Sequence, residues 1–256
     1  YWNARDRSGE VFLITGLGQY PNLGVTDAFA CIRRGDLQHT IRMSDVLGTD
    51  RMNQQVGPYR IEVIDPLNEL RITCAGKEQE FELDLHWRGS FPAVDESPHV
   101  SRNGAKIMLD AQRFAQVGTW EGFIRVKGEE IIVDPATWVG TRDRSWGIRP
   151  VGEPEPAGRW VAEPKVDGGF YWIYVPLRFD DFALVFIAQE DADGLRTLND
   201  ALRIWPDGRV EPLGYPKYDI NYRSGTRIPE SATITAQAAD GSPLVVEVEC
   251  LGHVAL

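Results

Sequence analysis

The stretch Glu80-Phe81-Glu82-Leu83-Asp84-Leu85-His86-Trp87 decides the fold class, because every second side chain in it is apolar. A period of two places one face of a strand on a core and the other in water, whereas a helix repeats every 3.6 residues. The sequence therefore predicts an all-β protein, in which only residues 107–114 could form a short turn of helix. Similar runs recur along the chain, at residues 11–17, 28–32, 37–43, 59–64, 70–74, 120–126, 130–134, 170–177, 182–189, 201–205, 218–222, 232–236 and 244–251.

Four dipeptides punctuate these runs: Lys127-Gly128, Asp193-Gly194, Asp207-Gly208 and Asp240-Gly241. Each places a glycine where a tight hairpin requires positive φ, so consecutive strands are expected to be antiparallel neighbours. A strand spacing of about 8 to 12 residues is typical of sandwiches and barrels.

Two irregular stretches suggest how the chain divides. Residues 89–104 are loop-like and rich in Pro and Ser, and residues 147–158 contain three prolines. We place the domain boundary near residue 118. This gives an N-terminal β domain over 1–118 and a C-terminal β domain over 119–256, packed together as antiparallel barrel or sandwich halves.

Composition excludes several partners. The 256 residues are 43% hydrophobic, which is enough for a folded core. The formal net charge is −11, and we therefore expect no nucleic-acid partner, because binding to phosphates needs clustered Lys and Arg. The apolar run 182–188 is far shorter than the roughly 20 residues of a membrane-spanning helix. Cys31, Cys74 and Cys250 are widely spaced and odd in number, so we expect no disulfide framework and a reducing, cytoplasmic location.

The segment Gly140-Thr141-Arg142-Asp143-Arg144-Ser145-Trp146-Gly147-Ile148-Arg149 departs most from ordinary strand sequence. In the functional interpretation Asp143 transfers a proton at the floor of a cavity. Arg142 sets the charge state of Asp143 through a close ion pair, and Trp146 lines the pocket. An acid flanked by arginines needs burial, or an outward-turned Arg144, to keep its proton. The alternative is an ion-pair cluster that joins the two halves, with Trp146 as core filler.

The second candidate is the aromatic run 170–174. Alternation sends Tyr171 and Ile173 to one side and Phe170, Trp172 and Tyr174 to the other, so one side could line a pocket. An ordinary aromatic core strand is the alternative.

Three more residues complete the expected ligand site. Glu163 is close in sequence to these aromatics and could be a second proton carrier, or simply a solvated carboxylate. Trp2 in the aromatic opening and Tyr20 at a glycine-rich turn are also expected to contact the ligand.

Two motifs resemble those of the hydroxyneurosporene synthase, or carotenoid 1,2-hydratase-like, family. That family commonly opens with Glu-Trp-Trp-Tyr and begins its second half with Arg-Asp-His-x-Trp-Gly. Here Tyr1-Trp2 and Arg142-Asp143-x-x-Trp146-Gly147 match, while Arg144 stands where the family has His. The resemblance implies two lipocalin-like domains and activity on isoprenoid-like or polyketide-like molecules. A role for the family's imidazole does not carry over.

Other site types find little support. The four histidines show no metal-ligand spacing, so no metal is expected. Gly16-Leu17-Gly18 lacks the following helix of a dinucleotide-binding motif, and Ser145 has no nearby His base for a hydrolytic triad.

The sequence thus favours a cofactor-independent enzyme of the hydratase, isomerase or cyclase kind, which encloses an apolar substrate. The rival hypothesis is a non-catalytic carrier or sensor of an apolar small molecule, since β-barrels often hold one ligand without transforming it. A third is a domain-interface scaffold, which the lack of any cavity above about 300 Å³ would support. Oligomeric state is left open.

Overall fold

The computed structural model describes residues 1–76, 80–103, 105–149 and 171–254, and its regular elements are all strands. Every strand pairing among these residues is antiparallel. The strands are β1 (Trp2–Asp6), β2 (Val11–Tyr20), β3 (Val25–Arg34), β4 (Leu37–Val46), β5 (Gln55–Val56), β6 (Tyr59–Asp65), β7 (Glu69–Gly76), β8 (Phe81–Gly89), β9 (Val94–Asp95), β10 (His99–Asn103), β11 (Lys106–Val126), β12 (Glu129–Val133), β13 (Trp138–Ile148), β14 (Tyr171–Arg178), β15 (Ala183–Glu190), β16 (Arg196–Ile204), β17 (Val210–Pro212), β18 (Lys217–Tyr222), β19 (Pro229–Gln237) and β20 (Pro243–Glu249).

The first sheet holds the thirteen strands β1 to β13 and curls into a barrel. Its main path runs β4-β3-β2-β1-β13-β11-β8-β7-β6-β5, and β5 at one end contacts β3 and β4 at the other. The alternating apolar residues of β8 all face the barrel core, where Trp87 meets Trp120 edge to face with 5.1 Å between ring centroids. We call the side of the sheet that carries this core the inner face.

Two smaller sheets follow in sequence, β14 to β17 and β18 to β20. Apolar residues of β14, β15 and β16 pack against Val94, Ala115 and Val117 on the outer face of the barrel wall. A further core joins the second sheet to the third, and β15 is therefore buried on both of its faces. The second sheet is thus the middle layer of the molecule.

The all-β prediction is confirmed, and so are the four hairpins. In the β11–β12 turn Lys127 and Gly128 have φ of 49° and 82°, the two positive values that a type I′ turn needs.

Two local predictions are wrong. Residues 107–114 are part of the long strand β11 rather than a helical turn, because β10 pairs with β11 as far as Ala111 and β13 pairs with it from Asp110 onward. The loop-like stretch 89–104 contains β9 and β10, which pair with β11. β11 also runs through residue 118, and the division into two halves there stays a prediction.

Candidate functional site

The ladder between β11 and β13 decides which side chains can meet. Ala115 pairs with Asp143, and Gln116 pairs with Arg142. Directly opposed residues of an antiparallel pair share a face, and successive residues alternate between faces. Asp143 therefore lies on the outer face with the core residue Ala115, whereas Arg142 lies on the inner face.

The predicted close ion pair between Arg142 and Asp143 is consequently wrong. The two are successive residues of one strand, so their side chains leave it on opposite sides. The guanidinium of Arg142 instead lies over the ring of Phe114, 5.0 Å from its centroid. Arg113 and Arg149 are the arginines whose charges act on Asp143.

Four polar residues form what we call the outer-face cluster: Glu96, Arg113, Asp143 and Tyr174. Arg113 and Asp143 come from the outer face of β11 and β13, and Tyr174 comes from β14 of the second sheet. Glu96 directly follows β9, and its N–H donates to the carbonyl of Arg113 at 2.9 Å. The cluster therefore lies where the barrel wall meets the middle layer.

A hydrogen bond between the first and second sheets holds the segment around Glu96 in place. The N–H of Ser97 donates to the Asp200 carboxylate on β16 at 2.8 Å. Glu96 is thus fixed both to β11 and to the second sheet, as a group in a preorganised site must be.

Glu96 and Arg113 form the most buried ion pair of the described residues. Nε of Arg113 is 3.1 Å from Oε2 of Glu96, with side-chain exposures of 10% and 1%. Among the described residues, neither Glu96 oxygen, nor Nε or Nη2 of Arg113, nor the Tyr174 hydroxyl has a well-aligned hydrogen-bond partner. These atoms are shielded from solvent, and they interact mainly with one another: Glu96 forms the ion pair with Arg113 and a side-chain hydrogen bond with Tyr174.

Burial changes the proton affinities in the cluster. It raises the pKa of Glu96 to about 7, although Arg113 acts to lower it. Burial also raises the pKa of Asp143, against the opposing effect of the Tyr1 α-ammonium, Arg113 and Arg149. The pKa of Tyr174 is raised well above its ordinary value by burial and by its two carboxylate neighbours.

Aromatic rings border the cluster. The Trp172 ring lies under the guanidinium of Arg113, 4.7 Å from centroid to Cζ, and stacks on His99 at 6.1 Å. His99 is buried on β10, and its burial together with Arg113 and Arg149 lowers its pKa, which favours the neutral imidazole. The border thus offers an apolar wall beside the acid.

This arrangement is suited to acid and base chemistry. A carboxyl group with a pKa near 7 is populated in both protonation states at neutral pH, the condition under which a general acid works best. A second carboxyl and a phenol lie within electrostatic range of it. Pairs of acids in different surroundings are the usual way in which one site supplies both an acid and a base.

The structure brings together only some of the predicted site residues. Asp143, Tyr174 and Trp172 meet at the outer-face cluster. Tyr171 precedes Trp172 on β14, leaves the strand on its other side and is exposed. Tyr20 is on the outer face of β2, but its hydroxyl lies over Gly18, two strands away from Asp143.

Three further predicted residues are elsewhere. Trp2 pairs with Arg142 on the inner face of the barrel. Trp146 shares that face, is 48% exposed and lies 6.4 Å from Phe114 between ring centroids, so it is not core filler. Glu163 and Phe170 lie outside the described residues.

Sequence reasoning missed Glu96, Arg113 and His99. Glu96 and His99 lie in the stretch interpreted as a loop, and Arg113 in the run interpreted as helical. A strand interpretation of 106–117 would have placed Arg113 on one face with Ala115 and Val117. No signal in the sequence shows that Glu96 crosses to that face.

The described residues contain neither a metal-binding group of side chains nor a membrane-spanning helix. No group of three or more potential ligands is arranged to hold a metal ion there. No helix in that part of the chain has the length and apolarity to cross a membrane.

Comparison with known proteins places the chain in a family. A family model described as a family of unknown function, DUF8625, matches residues 1–254. The chain belongs to this family. No curated protein matches this DUF8625 member in sequence.

Solved structures add the fold relationship. Kievitone hydratase from Nectria haematococca superposes on the DUF8625 protein with a TM-score of 0.59 at 15% identity, over 93% of this chain and 72% of that one. A protein from Nitrosomonas europaea provisionally assigned as AttH gives 0.58 at 13% identity, over 93% and 78%. The chain therefore shares its fold with a hydratase, and the resemblance inferred from the two sequence motifs is supported at the level of fold.

Proposed function

We propose that this protein is a hydratase-type enzyme, which adds water to, or removes it from, an apolar isoprenoid-like or polyketide-like molecule at the outer-face cluster. The observation that supports this most is Glu96, a fixed and buried carboxyl group whose pKa is about 7. The fold shared with a hydratase agrees with the proposal. Acid and base groups are all that the reaction requires.

In the proposed hydration, protonated Glu96 gives its proton to one alkene carbon, and the π electrons form the new C–H bond. A water oxygen bonds to the other carbon, and the Asp143 carboxylate takes the proton that this water loses. Arg113, 3.1 Å from Glu96, stabilises the glutamate anion that remains. Dehydration is the same sequence in reverse.

Tyr174 completes the proton balance. After one turnover Glu96 lacks a proton and Asp143 has gained one. The phenol of Tyr174 interacts electrostatically with both carboxyls and acts as a side-chain hydrogen-bond partner of Glu96. It can accept a proton from Asp143 while it donates its own to Glu96, which restores the starting state without bulk water.

The surroundings favour an apolar substrate. Trp172 presents a ring beside Arg113, and the ring of Tyr174 packs against an apolar core that includes Val94 and Ala115. Water excluded by such a wall cannot screen the acid, which strengthens its electrostatic effect on a developing cation.

The direct test is incubation of the purified protein with a panel of isoprenoid alkenes and polyketide-like enones in ¹⁸O-labelled water. We expect at least one panel member to gain one water with the label in its new hydroxyl group, detected by mass spectrometry. The corresponding alcohol should exchange its oxygen through the reverse reaction.

Each other outcome is informative. Conversion to an isomer without label would indicate the isomerase or cyclase reaction instead. Retention of a panel member without any conversion would support the carrier hypothesis. If wild-type protein neither labels nor converts any compound, the proposal is contradicted.

A further inference from the structure

The inner face of the barrel carries a second polar group of residues, opposite the outer-face cluster. Trp2 pairs with Arg142 across β1 and β13, and Arg142 pairs with Gln116 across β13 and β11. Direct partners have Cβ atoms about 5 Å apart. We call these three side chains the inner-face row. It is separated from Asp143 by the thickness of the sheet.

Arg142 is a largely buried cation that has no anion among the described residues. It is 8% exposed, and no described residue forms a salt bridge or hydrogen bond with its guanidinium. Burial, and after it the positive charge of Arg144, the next inner-face residue of β13, lower the pKa of Arg142 to about 10. The guanidinium nitrogens are not among the fully enclosed unpaired atoms of the described residues, so they remain open to an anionic ligand, which would stabilise this poorly solvated charge.

The neighbours of Arg142 are unsatisfied as well. Nε1 of Trp2 is a buried donor, and Oε1 of Gln116 a buried acceptor, and neither has a partner among the described groups. Gln116 is 2% exposed, and its Nε2 is already bound to the carbonyls of Leu67 and Phe91. The row therefore places a guanidinium on the strand position next to an indole N–H that has no partner among the described groups.

This part of the inner face also has apolar surface. Leu17 and Met43 continue the inner face beside the row, and Phe114 lies under Arg142. A separate cavity of about 310 Å³ is lined mostly by polar residues of β3, β4 and the segment that follows β4, among them Thr26, Asp45 and Asp50. None of the three row residues lines this cavity.

We propose that the inner-face row binds the carboxylate of an amphipathic small molecule whose apolar chain lies in the mouth of the barrel. A planar carboxylate can accept two parallel N–H bonds from Arg142 and a further one from Trp2. Gln116 Oε1 would accept from the protonated acid or from a bridging water. This site is independent of the proposed reaction, because it lies on the other face of β13.

The test is a titration of wild-type protein with decanoate, and separately with decanol, followed by tryptophan fluorescence and calorimetry. The two probes have the same chain and differ in charge. We expect decanoate to bind at least about tenfold more tightly than decanol. Arg142→Gln should abolish this preference while decanol binding is unchanged, and Trp2→Phe should weaken decanoate binding a few-fold by removing one N–H donor.

Two controls define the site. Arg5→Gln removes an exposed arginine from the opposite face of β1 and should change nothing. Glu96→Gln should leave decanoate binding intact, which separates this result from the fate of the proposed reaction. The proposal would be overturned if wild-type protein bound both probes equally or did not bind decanoate. It would also be overturned if Arg142→Gln and Trp2→Phe both bound decanoate as tightly as wild type.

Discussion

Replacement of Glu96 by glutamine should lower kcat/KM for hydration by about 10²–10⁴-fold, the usual contribution of one positioned general acid. Glutamine keeps the volume and one oxygen but cannot donate a carboxyl proton. For wild-type enzyme, kcat/KM should also fall as pH rises through about 7, because Glu96 then loses its proton. The measurement is a pH profile of kcat/KM with the substrate identified by ¹⁸O labelling.

The matched control for this variant is Asp95→Asn. Asp95 precedes Glu96 but is exposed and pairs with Phe114, so its side chain lies on the opposite face from the cluster. The control should keep wild-type kcat/KM and its decline above pH 7. Asp143→Asn should remove the base and lower the rate with a different pH profile. A Glu96→Gln enzyme with wild-type rates would rule out Glu96 as the acid.

The same carboxyl group should make the free energy of unfolding depend on pH. Burial raises the pKa of Glu96 from an ordinary value of 4.5 to about 7, so the folded protein binds this proton more tightly than the unfolded chain. Stability from this group is fully present below pH 4.5 and is lost as pH rises to about 7. The shift corresponds to about 3 kcal/mol.

Chemical denaturation of wild type and Glu96→Gln at several values between pH 4.5 and 8 isolates this contribution. Other groups titrate in both proteins, so the difference between the two curves reports Glu96. We expect wild type to lose about 3 kcal/mol more than the variant over this window. Parallel curves would mean that Glu96 is ionised in the folded protein at all these pH values.

Periodicity was sufficient to predict the strands. The alternating apolar residues of β8 all reach one core, and the glycine hairpins hold, because both signals depend on the local backbone alone. The sequence of residues 107–114 was misinterpreted as a helical turn because it lacks this simple alternation. In this part of β11 most residues on both faces are only partly buried, so apolar and polar side chains do not alternate simply.

The site was predictable only in part. Asp143 was found because its neighbours in sequence are unusual, but the partners assigned to it were also sequence neighbours. In a strand those residues point away from each other, so Arg142 was paired with the wrong group. Glu96 and Arg113 meet Asp143 and Tyr174 through strand register and through the packing of two sheets, neither of which a single sequence contains.

The most direct test of this account is the titration of Glu96 itself, followed by carbon-13 NMR of protein labelled at the glutamate side-chain carboxyls. We expect one carboxyl resonance with a midpoint near pH 7, and we expect this resonance to be absent from Glu96→Gln. If every glutamate carboxyl titrates below about pH 5, as unperturbed side chains do, Glu96 is not a buried acid and the proposed mechanism is contradicted.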